Sequence, residues 1–111
     1  KTWQQILHHF PSSSRHTLGF RIDTLIIQVA ESLFAASFLA GDKKLVSVEE
    51  SSLKLDSVKF LLQLSWESKI INDKKYIILS GHLERIGKQI GGWLKQLRKT
   101  KLSALGGEKS R

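Results

Sequence analysis

The sequence predicts an all-α protein, specifically an antiparallel up-down four-helix bundle. Four segments place apolar residues at helical spacing. The chain has one proline, Pro11, so almost no position interrupts a long helix. A short connection at Asn72-Asp73 makes the helices on either side antiparallel neighbours. A chain of 111 residues with 41% hydrophobic content suits one domain. We expect the bundle to span residues 1–102 and the polar, glycine-bearing residues 103–111 to form a disordered tail.

The first two predicted helices cover residues 2–10 and 15–40. The first has apolar residues at spacings of three, one and three, and Pro11 and the serines after it end the helix. Ser14 is a suitable N-cap for the second helix, and Gly41-Asp42 closes it. The apolar stripe of the first helix consists of Trp3, Ile6, Leu7 and Phe10.

The third and fourth predicted helices cover residues 48–71 and 74–101. Ser47 and Glu50 have the spacing of a capping box at the start of the third helix, and Asp73 can cap the fourth. Carboxylates in a first helical turn are explained by the helix dipole, so the pair Glu49-Glu50 does not indicate acid–base catalysis. The fourth helix has the clearest apolar stripe, formed by Leu79, Leu83, Ile86, Ile90, Trp93, Leu94 and Leu97.

The second helix is apolar on two sides. One stripe, from Leu18 to Ala40, can face the bundle core. The opposite side then needs a second partner, and a chain this short has little left to cover it. We therefore predict a homo-oligomer, with a central helix covered by its own chain as the alternative. The predicted interface residues on this side are Phe20, Ile27, Phe34 and Phe38.

The positive charge is concentrated in the last quarter of the chain. The formal net charge is +8 at pH 7. From Arg85 to the end of the chain there are eight basic residues and one acidic residue, Glu108, which gives a net charge of +7. A helix surface of one sign is typical of proteins that bind the phosphate backbone, whereas a purely solubilising or dipole-compensating role is the alternative. We predict a nucleic-acid-binding surface formed by Arg85, Lys88, Lys95, Arg98, Lys99 and Lys101.

Three glycines lie close together in the fourth helix, at positions 87, 91 and 92. Each lowers helix stability, which suggests that something packs very close to this segment. A neighbouring helix, another subunit and a nucleic-acid backbone are all possible occupants, and a tolerated weak point is the alternative. We assign Gly87 and Gly91 to the oligomer interface, with Gly92 beside them.

The sequence contains no motif that indicates catalysis, a metal or a cofactor. No two of the four histidines have the i,i+3 or i,i+4 spacing of a metal-binding pair on a helix. No nucleophile or nucleotide-binding motif is present, so we expect neither an enzyme nor a small-molecule substrate. The chain has no cysteine, no signal-peptide pattern and no apolar run long enough to span a membrane, so we expect a cytoplasmic protein without membrane partners.

Several segments together resemble the accessory variability determinant (Avd) proteins of diversity-generating retroelements. They are His9-Phe10-Pro11, the stretch from Leu55 to Leu62 followed by Trp66, and the fourth-helix motif from Ile86 to Leu94. The broader relatives of Avd proteins are four-helix-bundle proteins encoded in intervening sequences of bacterial ribosomal RNA genes. The resemblance extends from about Leu7 to Arg98.

The resemblance implies a ring-like homopentamer with a basic surface, in which Lys88 matches the fourth-helix motif. It further implies binding to template RNA or cDNA and to the reverse transcriptase, in support of mutagenic copying. Two alternatives remain at this point. One is a structural helical adaptor that docks an acidic protein, and the other is a nucleic-acid-binding bundle unrelated to retroelements.

Overall fold

The computed structural model describes the backbone of residues 14–109 and the side-chain environment of residues 16–105. Over this part the chain forms three helices and no strand: α1 (Ser14–Ala36), α2 (Gly41–Glu67) and α3 (Asp73–Lys109). The all-α prediction is therefore confirmed. The helix predicted for residues 2–10 lies outside the described residues. Within the described part, no helix combines the length and the hydropathy that a membrane crossing requires.

α1, which corresponds to the second predicted helix, ends at Ala36, four residues earlier than the sequence predicts. After Ala36 the backbone N–H groups of Phe38 and Leu39 donate to the carbonyls three residues before them, at 3.1 and 3.2 Å, which tightens the chain into a turn. The Ser37 hydroxyl also donates to the Phe34 carbonyl over 2.6 Å. Gly41 then adopts φ +59°, a left-handed conformation that glycine tolerates best, and it begins α2 instead of closing α1.

Ser47 is not the N-cap of a helix, as the capping-box pattern predicted. It lies inside α2 and is buried, and its hydroxyl donates to the Ser32 carbonyl of α1 over 2.7 Å. Because Leu45 and Val48 are also buried against the neighbouring helices, packing favours a helix that begins six residues before Ser47. Glu49 was predicted to lie in the first turn of its helix. Because α2 begins at Gly41, Glu49 lies beyond that first turn.

A hydrogen-bonded aromatic cluster holds the turn between α2 and α3. The Trp66 and Tyr76 rings stack with their centroids 4.4 Å apart, and the Trp66 Nε1–H donates to the Asp73 carboxylate over 2.7 Å. The N-cap of α3 is Asn72, whose Oδ1 accepts from the Lys75 backbone N–H at 2.8 Å. Asp73, the predicted cap, instead fixes the indole. The two helices are antiparallel across this turn, as predicted.

α3 extends well beyond the predicted end of the bundle. It has 37 residues, which corresponds to a length of about 55 Å. The residues predicted to form a disordered tail are therefore helical as far as Lys109, and the boundary at residue 102 is corrected. In the extension Ala104 and Leu105 are exposed and line a cleft together with Leu45 at the start of α2.

α2 is the central helix of the described fold. It packs along both α1 and α3, which barely contact each other. Its buried residues Val48, Leu55, Val58 and Leu62 connect the two interfaces into one core with Leu25 and Val29 of α1 and Leu83, Ile90 and Leu94 of α3.

Because α1 and α3 do not close against each other, an apolar groove of about 400 Å³ remains between them. All three helices contribute to its lining, which includes Ile22, Ile26, Val58, Leu79, Leu83 and Ile86.

Candidate nucleic-acid interface

Three lysines form a row on the side of α3 that faces away from the core. The opposite side of α3 packs against α2, and its residues Leu83, Ile90 and Leu94 are buried. Since successive residues rotate by about 100° in a helix, Lys88, Lys95 and Lys99 fall on the outer side, and all three are exposed. Their Cα atoms follow one another along the helix at about 10 and 6 Å. We call these three residues the lysine row.

The lysine row has no acidic partner among the described side chains. The ion pairs in this part of the chain involve other residues, and no hydrogen bond of the three lysines is found there. The nearest preceding carboxylate, Glu84, lies 3.8 Å from Lys59 of α2. The positive charge of the row is therefore available to a negatively charged ligand.

Two of the six predicted cations point towards α2 instead. The Arg98 guanidinium lies 3.1 Å from the Glu49 carboxylate, and the Lys101 ammonium lies 3.2 Å from the Asp42 carboxylate. Because all four side chains are substantially exposed, each pair contributes at most about 1 kcal/mol to stability. Both cations are partly neutralised, and they connect α2 to α3.

Arg85 lies at the other end of the predicted surface. Its guanidinium Nε donates to the Gly81 carbonyl over 3.4 Å, and an Nη2 contacts His82 Nδ1 at 3.2 Å. These contacts are within α3 and involve no acid, so Arg85 keeps its charge close to Lys88, one turn further along the helix.

One cation near the described core was not identified from the sequence. Lys44 of α2 places its ammonium 5.8 Å from the centre of the Trp93 ring of α3, within the range of a cation–π contact. This contact cannot be predicted from the spacing of residues in the sequence, because Lys44 and Trp93 belong to different helices. Trp93 faces the core side of α3, so Lys44 does not extend the lysine row.

The predicted oligomer residues of α1 are exposed in the single chain. Phe20, Ile27 and Phe34 recur every seven residues, with 75, 59 and 69% of their surfaces accessible. Phe38 follows in the turn after α1 and is 76% exposed, and its ring contacts Phe34 edge-on with centroids 5.0 Å apart. Exposed aromatic and aliphatic groups in such a row are typical of an interaction surface.

A second apolar stripe on α2 was not predicted. Val46, Leu53 and Phe60 also recur every seven residues and are 51, 68 and 49% exposed. The predicted start of the third helix at residue 48 left Val46 outside it, so that only Leu53 and Phe60 of this stripe lay within the predicted helix. Each of these two helices thus has a core side and an exposed apolar stripe.

The two glycines assigned to the oligomer interface have different surroundings. A Cβ at Gly87 would lie 3.0 Å from the Lys59 ammonium and 3.6 Å from Leu55 Cδ2, so the neighbours of Gly87 are side chains of α2 in the same chain. The assignment of Gly87 to a subunit interface stays a prediction. Gly91 is exposed, and apart from its chain neighbours and the adjoining backbone of α3 no described atom lies within 4 Å of the position that a Cβ would take. Neither the fold nor a close neighbour within the described part explains Gly91.

The described side chains offer cationic and apolar surfaces rather than a ligand-coordinating centre. Among residues 16–105, no group of three or more His, Asp or Glu side chains is arranged to hold a metal ion. The chemistry that this arrangement supports is the binding of a polyanion along α3 and of apolar surfaces along α1 and α2.

Comparison with known proteins gives one finding. Curated proteins and solved structures yield no match to the chain. The model of the bAvd-like family matches residues 2–97, which include α1, α2 and most of α3. As the motifs from Leu55 to Leu94 indicated, the chain belongs to the bAvd-like family.

Proposed function

We propose that the protein is a non-catalytic accessory protein of a diversity-generating retroelement that binds nucleic acid. In this role it holds template RNA or cDNA and contacts the reverse transcriptase during mutagenic copying. The observation that carries the proposal is the lysine row, a set of exposed cations without acidic partners among the described side chains. Family membership connects that surface to a retroelement.

The charge distribution supports a polyanionic ligand. Eight basic residues against one acidic residue give +7 from Arg85 to the end of the chain, whereas the preceding residues hold ten basic and nine acidic ones, or +1. Lysines on a helix surface contact phosphate groups rather than base edges. Binding with little sequence preference follows.

We further propose that the chain assembles into a homo-oligomer, a pentamer in keeping with the family. The exposed stripes on α1 and α2 support this proposal, because burying them removes large apolar groups from water. A ring repeats the lysine row around its axis. Several weak phosphate contacts then act on one strand at a high effective concentration.

The groove between α1 and α3 supports the four-helix architecture. Its lining is almost entirely apolar, and exposed Ile26 and Ile86 stand at its rim. Residues 2–10 precede α1 by a short link, and four of them are apolar at helical spacing. We propose that this segment is a fourth helix that packs into the groove antiparallel to α1.

The first prediction concerns the lysine row. Replacing Lys88, Lys95 and Lys99 by Gln should weaken binding to a single-stranded RNA oligonucleotide and flatten its salt dependence. Loss of three phosphate contacts lowers the slope of log K against log salt by about 2. Fluorescence anisotropy at several salt concentrations measures both effects, and thermal unfolding should stay unchanged because the three side chains are exposed.

The matched control replaces Lys43, Lys74 and Lys75, which are also exposed, by Gln. Both variants lose the same charge, so an equal loss of affinity in the control would show that net charge, not the lysine row, governs binding. A wild-type protein that binds an acidic protein but no RNA would favour the helical adaptor.

The second prediction concerns assembly. Phe34→Asp should reduce the mass in solution towards the 12.6 kDa of one chain, because assembly would bury a carboxylate without a partner. Ala35→Asp is the control, since it adds the same charge to the neighbouring exposed residue outside the stripe. Light scattering at micromolar concentration measures the mass, and a monomeric wild type would contradict the proposal.

The third prediction concerns the fourth helix. Leu7→Asp should lower the free energy of unfolding by about 2 kcal/mol or more, because it places a charge on the apolar stripe. Gln5→Asp lies on the opposite side of the same helical pattern and should change stability by about 0.5 kcal/mol at most. Denaturant unfolding at one fixed protein concentration measures both changes. Equal effects of the two substitutions would contradict the proposal that a fourth helix packs into the groove.

The fourth prediction concerns the enzyme. The protein should co-purify with a reverse transcriptase encoded beside it, and the complex should survive nuclease treatment because the contact is between proteins. Lys95→Glu with Lys99→Glu should reduce cDNA synthesis more than enzyme binding. Loss of the enzyme with retention of RNA would show that the lysine row serves the protein contact.

A further inference from the structure

Gly92 lies at the centre of the lysine row. It follows Lys88 by four residues and precedes Lys95 by three, so all three occupy the same side of α3. Lys99 lies one further turn along that side. The row of cations is therefore interrupted by one turn at which Gly92 leaves the helix backbone bare.

The fold gives no structural reason for a glycine at this position. Gly92 is exposed, and apart from its chain neighbours and the adjoining backbone of α3 no described atom lies within 4 Å of the position that its Cβ would take. Gly87 differs, because the Lys59 and Leu55 side chains occupy the corresponding space there. A glycine in a helix interior lowers helix stability, so Gly92 has a cost that no packing within the described part offsets.

Two independent observations thus meet at one place: an exposed row of cations without acidic partners, and a bare turn of helix at its centre. Lys88 and Lys95 approach that turn from its two sides. A chain that runs across the bare turn can be contacted by both ammonium groups at once, because no side chain holds it away from α3. Coulomb attraction weakens as the separation grows, so close approach strengthens every contact in the row.

We propose that Gly92 is the point of closest approach of the bound nucleic acid, where the phosphodiester backbone of a single strand lies directly against α3. The inference rests on the proposed nucleic-acid function and adds a residue that the charge pattern alone does not identify. Lys88 contacts the strand on one side of Gly92, and Lys95 and Lys99 contact it on the other. Gly92 acts by permitting this approach and donates no group of its own.

The test is a substitution with opposite effects on stability and binding. Gly92→Gln introduces a good helix former without changing the charge, so thermal stability should rise. The new side chain fills the bare turn, and the Kd for a single-stranded RNA oligonucleotide should rise by about threefold to tenfold, comparable to the loss of one hydrogen bond. Gly92→Ala should raise stability as well and weaken binding less.

Gly19→Gln is the matched control. Gly19 is also an exposed glycine inside a helix, and the space that a Cβ would take is open apart from its chain neighbours and the adjoining backbone, but Gly19 belongs to α1. This substitution should raise thermal stability in the same way and leave the affinity for RNA unchanged. The mass of every variant is measured by light scattering alongside binding.

The outcomes separate this inference from the proposed function. If Gly92→Gln keeps wild-type affinity while the Gln variant of the lysine row loses it, the role of Gly92 is wrong and the nucleic-acid function stands. If the variant of the lysine row binds as well as the wild type, the proposed function itself fails. If Gly92→Gln dissociates the oligomer, Gly92 serves a contact between subunits and the inference is overturned.

Discussion

The packing of α2 between α1 and α3 determines which surfaces of this protein remain free. Val48, Ser51 and Val58 of α2 are almost completely inaccessible to solvent, and the Ser47 hydroxyl bonds to the Ser32 carbonyl of α1. The small serine side chains let the backbones of α1 and α2 approach closely. Since one helix packs against both neighbours, the outer sides of α1 and α3 stay exposed. That of α1 carries the stripe of Phe20, Ile27 and Phe34, whereas that of α3 carries the lysine row.

The existence of the helices follows from the sequence, but their ends do not. Helical periodicity placed Leu55, Leu83 and Ile90 on the core sides of their helices, where they are buried, because that placement does not depend on where a helix ends. Ala40 and Ile86 belonged to the same predicted stripes but are exposed. Ser47 misled the prediction because a serine followed by Glu50 has capping-box spacing. Only the contact with Ser32, fifteen residues away, shows that its hydroxyl is used inside a helix. Local capping patterns cannot include such a contact between helices.

In the candidate site, too, the features of a single helix could be predicted from the sequence, whereas the contacts between helices could not. The lysine row is a property of one helix, so the rotation of about 100° per residue was sufficient to predict it. The pairing of Arg98 with Glu49 depends on the register between α2 and α3, which periodicity within either helix does not specify. The position of the Lys59 side chain beside Gly87 likewise depends on that register. What the sequence could not supply was the set of distances between helices.

The separation of the surfaces has a consequence for how binding can work. Contacts between an exposed lysine and a charged partner contribute about 1 kcal/mol or less each in water, so three lysines on one chain hold a strand weakly. The apolar stripes are on α1 and α2, whereas the lysine row is on the outer side of α3. The proposed assembly through the stripes therefore leaves the row free and multiplies it. A strand bound to several copies dissociates only when all of its contacts open together, so the oligomer binds more tightly than the sum of its isolated chains. The exposed phenylalanines of α1 and the lysines of α3 therefore depend on each other, although they share no contact. The phenylalanines bring several chains together, and the lysines bind a strand tightly only when several chains present them at once.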